Sequence, residues 1–346
     1  MRSKSAQTTV PKASVISMRL AQRATVSLAL VLAGCGQTPH TMAEKYYLVV
    51  PNTKSPYWDQ VSGGLNQAAR ELKVYAALAG PDSYDPQAQK QEFKRIAALK
   101  PAGILVSVAD PKLLAEDIDA AVAAGIAVIT VDADAVSSKR LFFVGTNNYE
   151  AGQIGGRTAA KELNDKGNVV ALLTVGQANL EERLDGYRSV FAQHPQIKLV
   201  NVIDLKGDPR IAFDQVKGML ERGKPEVDAF ISMEGQSAKE VAEVLSRRKA
   251  KKVVVAMDAL EATLEGIENG WITATVAQKP FTMGYTSLRL IADLYLNKLS
   301  SLTAASAGNP NSLLPRFVDT GATLIDKSNL AAYREASKAA VQSKGS

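Results

Sequence analysis

Residues 103–132 read GILVSVADPKLLAEDIDAAVAAGIAVITVD, and this stretch decides the class of fold. Two runs of almost unbroken apolar residues, 103–108 and 127–131, flank a segment with a helical pattern, 111–124. Runs that are apolar at nearly every position are typical of parallel strands buried on both faces. The order strand, helix, strand therefore predicts a βαβ unit in an open α/β sheet, with Asp132 directly after the second strand.

The same alternation covers most of the chain. Further strands are predicted at 46–50, 74–78, 168–174, 198–203, 227–232, 252–257 and 272–277. Further helices are predicted at 57–71, 86–99, 149–164, 178–193, 209–222, 237–248 and 260–269, with two more near 281–299 and from 328 onward. Repeated strand-then-helix order predicts parallel sheets covered by helices on both faces.

The alternation occurs twice, over 45–144 and 148–277, and Gly145-Thr146-Asn147-Asn148 joins the two runs. A chain of 346 residues exceeds one typical core and suits two. We therefore predict an α/β fold with two lobes, each a doubly wound parallel sheet. The expected N-terminal lobe is 45–146 plus 279–309 and the expected C-terminal lobe is 147–278 plus 310–346, with three hinge crossovers near 147, 278 and 310.

The first 34 residues are typical of a secretion signal. They contain five basic residues and no acidic one, and a short apolar run leads to Leu32-Ala33-Gly34-Cys35. That run is too short for a membrane-spanning helix, which needs roughly 20 apolar residues. The only cysteine of the chain stands where the signal ends. We therefore predict a lipoprotein signal peptide at 1–34, lipidation of Cys35, and a tether at 35–44; a plain cleaved signal is the alternative.

The basic character of the whole chain belongs to this leader. The formal net charge is +6, but without residues 1–34 the chain has 36 basic against 35 acidic residues, a net of +1. We therefore expect no nucleic-acid partner. The predicted location is the periplasm or the cell surface, attached to the membrane through the lipid.

Polar and aromatic side chains follow several of the predicted strands. In open parallel sheets, ligands bind beyond the carboxyl ends of the strands, on the loops that follow. The candidate ligand-binding residues in those loops and helix starts are Ser55, Tyr57, Trp58, Asp132, Arg183, Glu234, Asp258 and Gln278. Together they suggest one site built from both lobes.

These residue types suit a small sugar. Aromatic rings such as Tyr57 and Trp58 offer flat surfaces to its C–H faces. Carboxylates accept from its hydroxyls, a guanidinium donates in a fork, and an amide does both. Each residue also has a structural alternative: Trp58 as packing, the two aspartates as helix caps, Arg183 as a surface ion pair with Glu182 or Asp185, and Gln278 as a brace of the crossover.

Six motifs in order resemble the ribose-binding protein family of periplasmic sugar receptors, over nearly all of 45–330. They are Ser55-Pro56-Tyr57-Trp58, Ile129-Thr130-Val131-Asp132, Val144-Gly145-Thr146-Asn147-Asn148, Arg183-Leu184-Asp185-Gly186-Tyr187, Val254-Val255-Ala256-Met257-Asp258 and Thr275-Val276-Ala277-Gln278-Lys279-Pro280. The resemblance implies the extracytoplasmic solute-binding component of an ABC transporter, which closes on a sugar and presents it to a membrane permease. We expect a monomer. A sugar or furanosyl-signal receptor feeding a chemoreceptor or sensor kinase is the alternative.

The chain also departs from that family. Ala133 stands where an arginine commonly follows the first aspartate, and Met233-Glu234 stands where an asparagine is frequent. The Gly207-Asp208-Pro209-Arg210 turn replaces an expected aromatic residue. One cation is lost and one carboxylate is gained, which argues against ribose itself while a polyhydroxylated ligand stays the best class.

An enzyme is not expected. The two histidines, His40 and His194, give no basis for a histidine metal site, and the predicted signal uses the single cysteine. The glycines of Gly152-Gln153-Ile154-Gly155-Gly156 lie inside a helical pattern, so they do not form a nucleotide-binding loop. We expect no cofactor and no metal. A repressor of the lactose-repressor family would need a DNA-binding helix pair before residue 45, where the signal lies.

Overall fold

The computed structural model describes residues 39–223, 226–297 and 314–342, so the predicted signal peptide and Cys35 lie outside the described residues. The strands are β1 Lys45–Val49, β2 Tyr75–Ala79, β3 Gly103–Val106, β4 Ala127–Val131, β5 Phe143–Gly145, β6 Lys166–Leu173, β7 Gln196–Asp204, β8 Ala229–Ser232, β9 Val253–Met257, β10 Ala274–Ala277, β11 Phe317–Asp319 and β12 Thr323–Asp326. The helices are α1 Pro56–Leu72, α2 Pro86–Ala98, α3 Pro111–Ala123, α4 Asn148–Glu162, α5 Ala178–Phe191, α6 Arg210–Arg222, α7 Ser237–Arg248, α8 Glu261–Glu268, α9 Pro280–Leu296 and α10 Leu330–Gln342.

The strands form two six-stranded sheets of matching topology. The first has the order β11-β5-β4-β3-β1-β2 and the second the order β12-β10-β9-β8-β6-β7. Every pair is parallel except β10 with β12, which is antiparallel. The predicted α/β class with two doubly wound lobes is confirmed, and the antiparallel edge strand β12 is an addition to it.

Each sheet is packed on both faces, as its apolar strands require. In the first lobe one core cluster includes Leu48 and Ile129, and a second, on the other face, includes Val106 and Val128. In the second lobe Phe230 belongs to one such cluster and Ala229, its neighbour along β8, to another. Alternate residues of one strand therefore enter opposite cores.

The chain passes between the sheets three times. It leaves the first sheet after β5 and returns after β10, because α9 packs against α1, β3 and β4. The third boundary, expected near 310, is wrong. Strand β11 pairs with β5 of the first sheet, and β12 pairs with β10 of the second, so the crossover lies at 320–322. Gly321 in this turn has a φ of +79°, a left-handed conformation that glycine adopts without strain.

The glycine-rich segment of the second lobe lies in a helix. Residues Gly152 to Gly156 belong to α4, which packs against α5. A Cβ on Gly152 would lie 2.0 Å from the backbone oxygen of Arg183. Glycine at this position lets the two helices approach closely. This contact positions the segment of α5 that carries Arg183.

In the described part of the chain, no helix is both long enough and apolar enough to cross a membrane.

Candidate functional site

A cleft lies between the carboxyl ends of the two sheets. Its volume, including the part that opens to solvent, is about 800 Å³. It lies at the two topological switch points, between β1 and β3 in the first sheet and between β6 and β8 in the second. All eight predicted site residues line it: Ser55, Tyr57, Trp58, Asp132, Arg183, Glu234, Asp258 and Gln278. We call the lining contributed by residues 51–132 the N-lobe wall and the lining contributed by residues 177–278 the C-lobe wall.

Asp132 and Asp258 occupy matching positions in the two lobes. Each directly follows the fourth strand of its sheet, each has a φ of +67°, and each is 8% exposed. Aspartate tolerates this left-handed conformation better than most residues. The turn directs both carboxylates into the cleft. Neither caps a helix: the helix after Asp132 begins with Asn147 as its N-cap, and the helix after Asp258 has Leu260 in that position.

The hydrogen bonds of the two aspartates differ. The Tyr57 hydroxyl donates to Asp132 Oδ1 at 2.7 Å and the Ser107 hydroxyl donates to Oδ2 at 3.1 Å. Asp258 Oδ1 instead accepts from the Gln278 amide at 2.8 Å. Burial raises the pKa of both carboxyls, that of Asp258 to about 6, although nearby Arg183 opposes the rise.

Arg183 lines the cleft and is 2% exposed. Its Nε donates to Asn148 Oδ1 at 3.0 Å, and its Nη1 donates to the backbone oxygen of Met233 at 2.7 Å. Its Nη2 is buried without a partner. The proposed surface ion pair is therefore wrong; Asp185 pairs with Arg188 instead.

Glu234 and Gln278 complete the C-lobe wall. The Thr174 hydroxyl donates to Glu234 Oε1 at 3.0 Å, yet burial raises the pKa of this carboxyl to about 7. The Gln278 amide nitrogen is held by Asp258, whereas its Oε1 is buried without a partner. Among the fully buried side-chain atoms of the described lining residues, one donor, on Arg183, and one acceptor, on Gln278, therefore lack a partner.

The two aromatic residues of the N-lobe wall meet edge to face, with ring centroids 5.1 Å apart. Trp58 is 4% exposed and belongs to the core of the first lobe, and its indole N–H donates to Asn52 at 2.8 Å. Trp58 therefore packs in the core of the first lobe and also lines the cleft. Burial and the nearby Asp132 raise the pKa of Tyr57, so its hydroxyl stays protonated as a donor.

Hydrogen bonds and a ring contact between described residues join the lobes across the cleft. The Gln236 amide donates to Ser55 Oγ at 2.8 Å, and the side chains of Tyr84 and Gln177 are hydrogen-bonded. The ring of Tyr84 also covers Gly207, where a Cβ would lie 2.5 Å from it. Gly207 has a φ of +75°, so both backbone and space require glycine. The N-lobe wall and the C-lobe wall are therefore in direct contact at these positions.

Sequence reasoning missed several lining residues. They are Pro51, Asn52, Tyr84, Ser107, Gln177, Asn179, Leu180, Gly207, Pro209, Gly235, Gln236 and Leu260. Ser107 follows β3, and Tyr84 lies on the connection after β2, so the rule of strand carboxyl ends applies to both. The sequence does not show which of the many polar side chains on such loops point inward.

The chemistry of the cleft is that of recognition through hydrogen bonds. It combines carboxylate acceptors, a guanidinium donor, amides and two aromatic rings in a buried space, a composition typical of small-ligand sites. Within the described ranges, no group of three His, Cys, Asp or Glu side chains is arranged to hold a metal ion.

Residues 46–299 match the family model described as periplasmic binding protein domain. The chain belongs to this family. The match covers most of both predicted lobes and ends just beyond α9, before residues 310–346 of the predicted C-terminal lobe.

Individual members of the family are similar along most of the chain. The D-allose-binding periplasmic protein of Escherichia coli K12 is 28% identical over 263 residues, 72% of this chain and 84% of its own length. A solute-binding protein of an ABC transporter from Burkholderia graminis, solved with D-arabinose, is 27% identical with a TM-score of 0.76, covering 84% of this chain and 97% of that one. An arabinose-binding protein from Geobacillus stearothermophilus is 32% identical with a TM-score of 0.69, covering 84% and 98%.

Proposed function

We propose that the protein is the extracytoplasmic solute-binding component of an ABC transporter and that it binds a small sugar between its two lobes. The observation that carries this proposal is the cleft itself. Eight residues expected to contact a sugar line one buried space, which retains an unpaired donor on Arg183 and an unpaired acceptor on Gln278. Relatives named for allose and arabinose support the ligand class. The similar proteins are binding proteins, which supports binding without catalysis.

Binding follows from the closed arrangement. Tyr57 and Trp58 present rings to the C–H faces of the sugar, while Asp132, Asp258 and Glu234 accept from hydroxyls. The unpaired nitrogen of Arg183 and the unpaired oxygen of Gln278 gain partners only when a ligand is present. A ligand that touches both walls stabilises the closed state and shifts the open–closed population toward it. The permease would then recognise the closed shape.

Isothermal titration calorimetry on detergent-extracted protein tests this proposal. The panel contains pentoses, hexoses, deoxy-sugars and polyols, with the common amino acids as a second class. We expect at least one sugar or polyol to bind, and the analogue lacking one bound hydroxyl to bind more weakly, because a buried group of the protein loses its partner. Tight binding of an amino acid with no response to any sugar or polyol would reject the carbohydrate ligand.

The location and state of the protein belong to the same proposal. We propose that Cys35 carries a lipid, that residues 35–44 tether the lobes to a membrane, and that the protein acts as a monomer, because one chain supplies both walls of the cleft. The variant Cys35→Ser should move from the membrane fraction to the soluble fraction, since lipid chains supply the membrane affinity. Retention of that variant on membranes after a high-salt wash would reject the anchor, and light scattering on the extracted protein tests the monomer.

A further inference from the structure

The charges that line the cleft are not balanced. Three carboxylates line it, those of Asp132, Glu234 and Asp258, and Arg183 is the one Lys, Arg or His among its described lining residues. With every carboxylate ionised, the walls carry a formal charge of −2. A buried charge is costly unless it is paired, so a deficit of positive charge in a ligand site calls for an explanation.

The single cation does not form an ion pair with any of the three. Among the residues that the structure describes, no ion pair within 4.0 Å includes Arg183, whose hydrogen bonds go to an amide and a backbone oxygen. The recorded side-chain donors to the carboxylates are neutral groups of Tyr57, Ser107, Thr174 and Gln278. The carboxylates are therefore solvated by neutral dipoles.

Two of the carboxylates share one corner. Gly235, the residue after Glu234, lies against the Asp258 carboxylate, and a Cβ on Gly235 would lie 2.8 Å from Asp258 Oδ2. The absence of a side chain at Gly235 lets the Asp258 carboxylate approach this backbone directly beside Glu234. Burial is the main cause that raises the pKa of Glu234, and repulsion by Asp258 adds to it; the carboxylate that adds to the raised pKa of Asp258 is Asp132. Asp132 lies on the opposite wall and has two hydroxyl donors.

Helix dipoles reduce this negative charge without removing it. Helices α1, α5 and α7 begin next to the lining residues Ser55, Gln177 and Gln236. Each helix N-terminus acts as roughly half a positive charge, and the effect falls off within the first turn. These partial charges are fixed in the backbone and cannot move between Glu234 and Asp258. A positively charged group of a ligand can enter that position.

We propose that the ligand is an amino or imino sugar, whose ammonium group lies between Glu234 and Asp258. This inference rests on the proposed sugar-binding function and narrows its ligand class. The hydroxyls of the same ligand take the unpaired nitrogen of Arg183 and the unpaired oxygen of Gln278, both of which line the cleft. The N-lobe wall, with Asp132 already hydrogen-bonded, contacts the neutral part of the ring. Charge-assisted hydrogen bonds are roughly twice as strong as neutral ones, so the ammonium should dominate selectivity.

A panel of matched sugar pairs tests the proposal by calorimetry at pH 7.5. The pairs are glucose with glucosamine, galactose with galactosamine, mannose with mannosamine, and glucose with 1-deoxynojirimycin. We expect the amine to bind about 30-fold more tightly than its neutral partner in at least one pair. Tighter binding of the neutral sugar in every pair overturns the inference and leaves the sugar-binding proposal standing. No binding by any member, together with binding of an amino acid, overturns both.

Proton exchange separates the two ways of balancing the charge. An ammonium between Glu234 and Asp258 favours their charged forms and displaces the protons they hold, whereas a neutral sugar does not. Titrations at pH 6.0, where sugar amines are mostly protonated, in two buffers of different ionisation enthalpy measure the number of protons exchanged. We expect a net release of protons with the preferred amine. No release, or a net uptake, with the tightest ligand overturns the inference.

Two matched variants locate the effect. Glu234→Gln removes one charge from the corner and keeps its shape, so the ratio of amine affinity to neutral-sugar affinity should fall about tenfold. Glu240→Gln removes the same charge from α7, outside the cleft lining, and should leave that ratio unchanged. An unchanged ratio in Glu234→Gln, or an equal fall in both variants, overturns the assignment to this corner.

Discussion

The N-lobe wall and the C-lobe wall begin from the same backbone and end with different chemistry. Asp132 and Asp258 each follow the fourth strand of their lobe with a φ of +67°. On the N-lobe side, hydroxyls of Tyr57 and Ser107 satisfy the carboxylate and Trp58 packs into the core. On the C-lobe side, Asp258 shares a corner with Glu234 near an arginine that keeps one nitrogen unpaired.

This difference separates two tasks that a binding site has to perform. A wall whose polar atoms already have partners is rigid and presents a fixed surface to the ligand. A wall with unpaired atoms and an excess of one charge gains most from the ligand, since its groups find partners only on binding. We infer that the N-lobe wall positions the ligand and that the C-lobe wall selects it by charge.

The largest effect should come from the rigid wall. Trp58→Ala should lower the free energy of unfolding by about 3–5 kcal/mol, because it leaves a cavity in the core of the first lobe. Denaturant unfolding followed by circular dichroism measures the change. Trp58→Phe is the control and should lose less than half as much. A loss below about 1 kcal/mol in Trp58→Ala would contradict the structural role of this wall.

The two aspartates test the comparison directly. Asp132→Ala and Asp258→Ala should each weaken ligand binding by about 2–4 kcal/mol, since ligand donors would be buried without a partner. Their effects on stability should differ. Asp132→Ala leaves two hydroxyl donors unpaired, those of Tyr57 and Ser107, and should lower the melting temperature. Asp258→Ala leaves one side-chain donor unpaired, the Gln278 amide, and should change it less.

Asparagine variants are the controls for this pair. Asparagine accepts the left-handed backbone conformation that both positions need, while alanine does so less readily. Asp132→Asn should therefore recover most of the stability lost in Asp132→Ala. Equal melting temperatures for the two alanine variants would show that the walls do not differ in rigidity.

The charged wall should make stability depend on pH. The pKa of Glu234 rises from 4.5 to about 7 and that of Asp258 from 3.8 to about 6, mainly because burial disfavours the charged form. A raised pKa means that, between the ordinary and the raised pKa of a group, the folded state binds more protons than the unfolded state. For these two groups, stability is therefore greatest below about pH 4 and declines as the pH rises through 6 and 7. We expect a loss of about 1–2 kcal/mol between pH 6 and pH 8 in the free protein.

Chemical unfolding at several pH values measures this slope. Glu234→Gln should flatten it, because the variant cannot ionise at the position with the larger shift. Asp132→Asn should flatten it less, since hydroxyl donors to Asp132 favour its charged form. A slope that is the same in the parent and in Glu234→Gln would mean that the C-lobe wall is not destabilised by its own charge.

The sequence predicted those features that many residues determine together. Most strands were identified because their runs are buried on both faces, as in β4, where Val128 and Ile129 enter opposite cores. Strands β5, β11 and β12 were missed because they have only three, three and four residues and lie toward or at a sheet edge, too short to show a periodicity. The third crossover was misplaced for the same reason. Strands β11 and β12 are short, belong to different sheets, and are separated by only three residues.

The site was predicted unevenly. Asp132 and Asp258 were identified because they end apolar strands at equivalent positions of a repeated pattern. The lining residues Tyr84, Gln177 and Gln236 were missed, since each depends on contact with the opposite lobe. Such contacts arise from the way the lobes meet, which no local pattern records. The charge excess of the cleft was visible only as two separate departures from the family pattern: Ala133, which removes a cation beside Asp132 in the first lobe, and Glu234, which adds a carboxylate to the C-lobe wall.

The smallest expected effect concerns the contact that joins the two walls. The Gln236 amide donates to Ser55 Oγ at 2.8 Å across the cleft, and opening of the lobes would break this bond. Ser55→Ala should therefore weaken ligand binding by about 0.5–1.5 kcal/mol, by shifting the population toward the open state. Gln236→Ala should cost the same, and the double variant should cost no more than either single one, because the shared bond is already lost. Calorimetry on the four proteins measures the cycle. Additive losses in the double variant would show that each side chain acts on the ligand separately and that this bond does not hold the walls together.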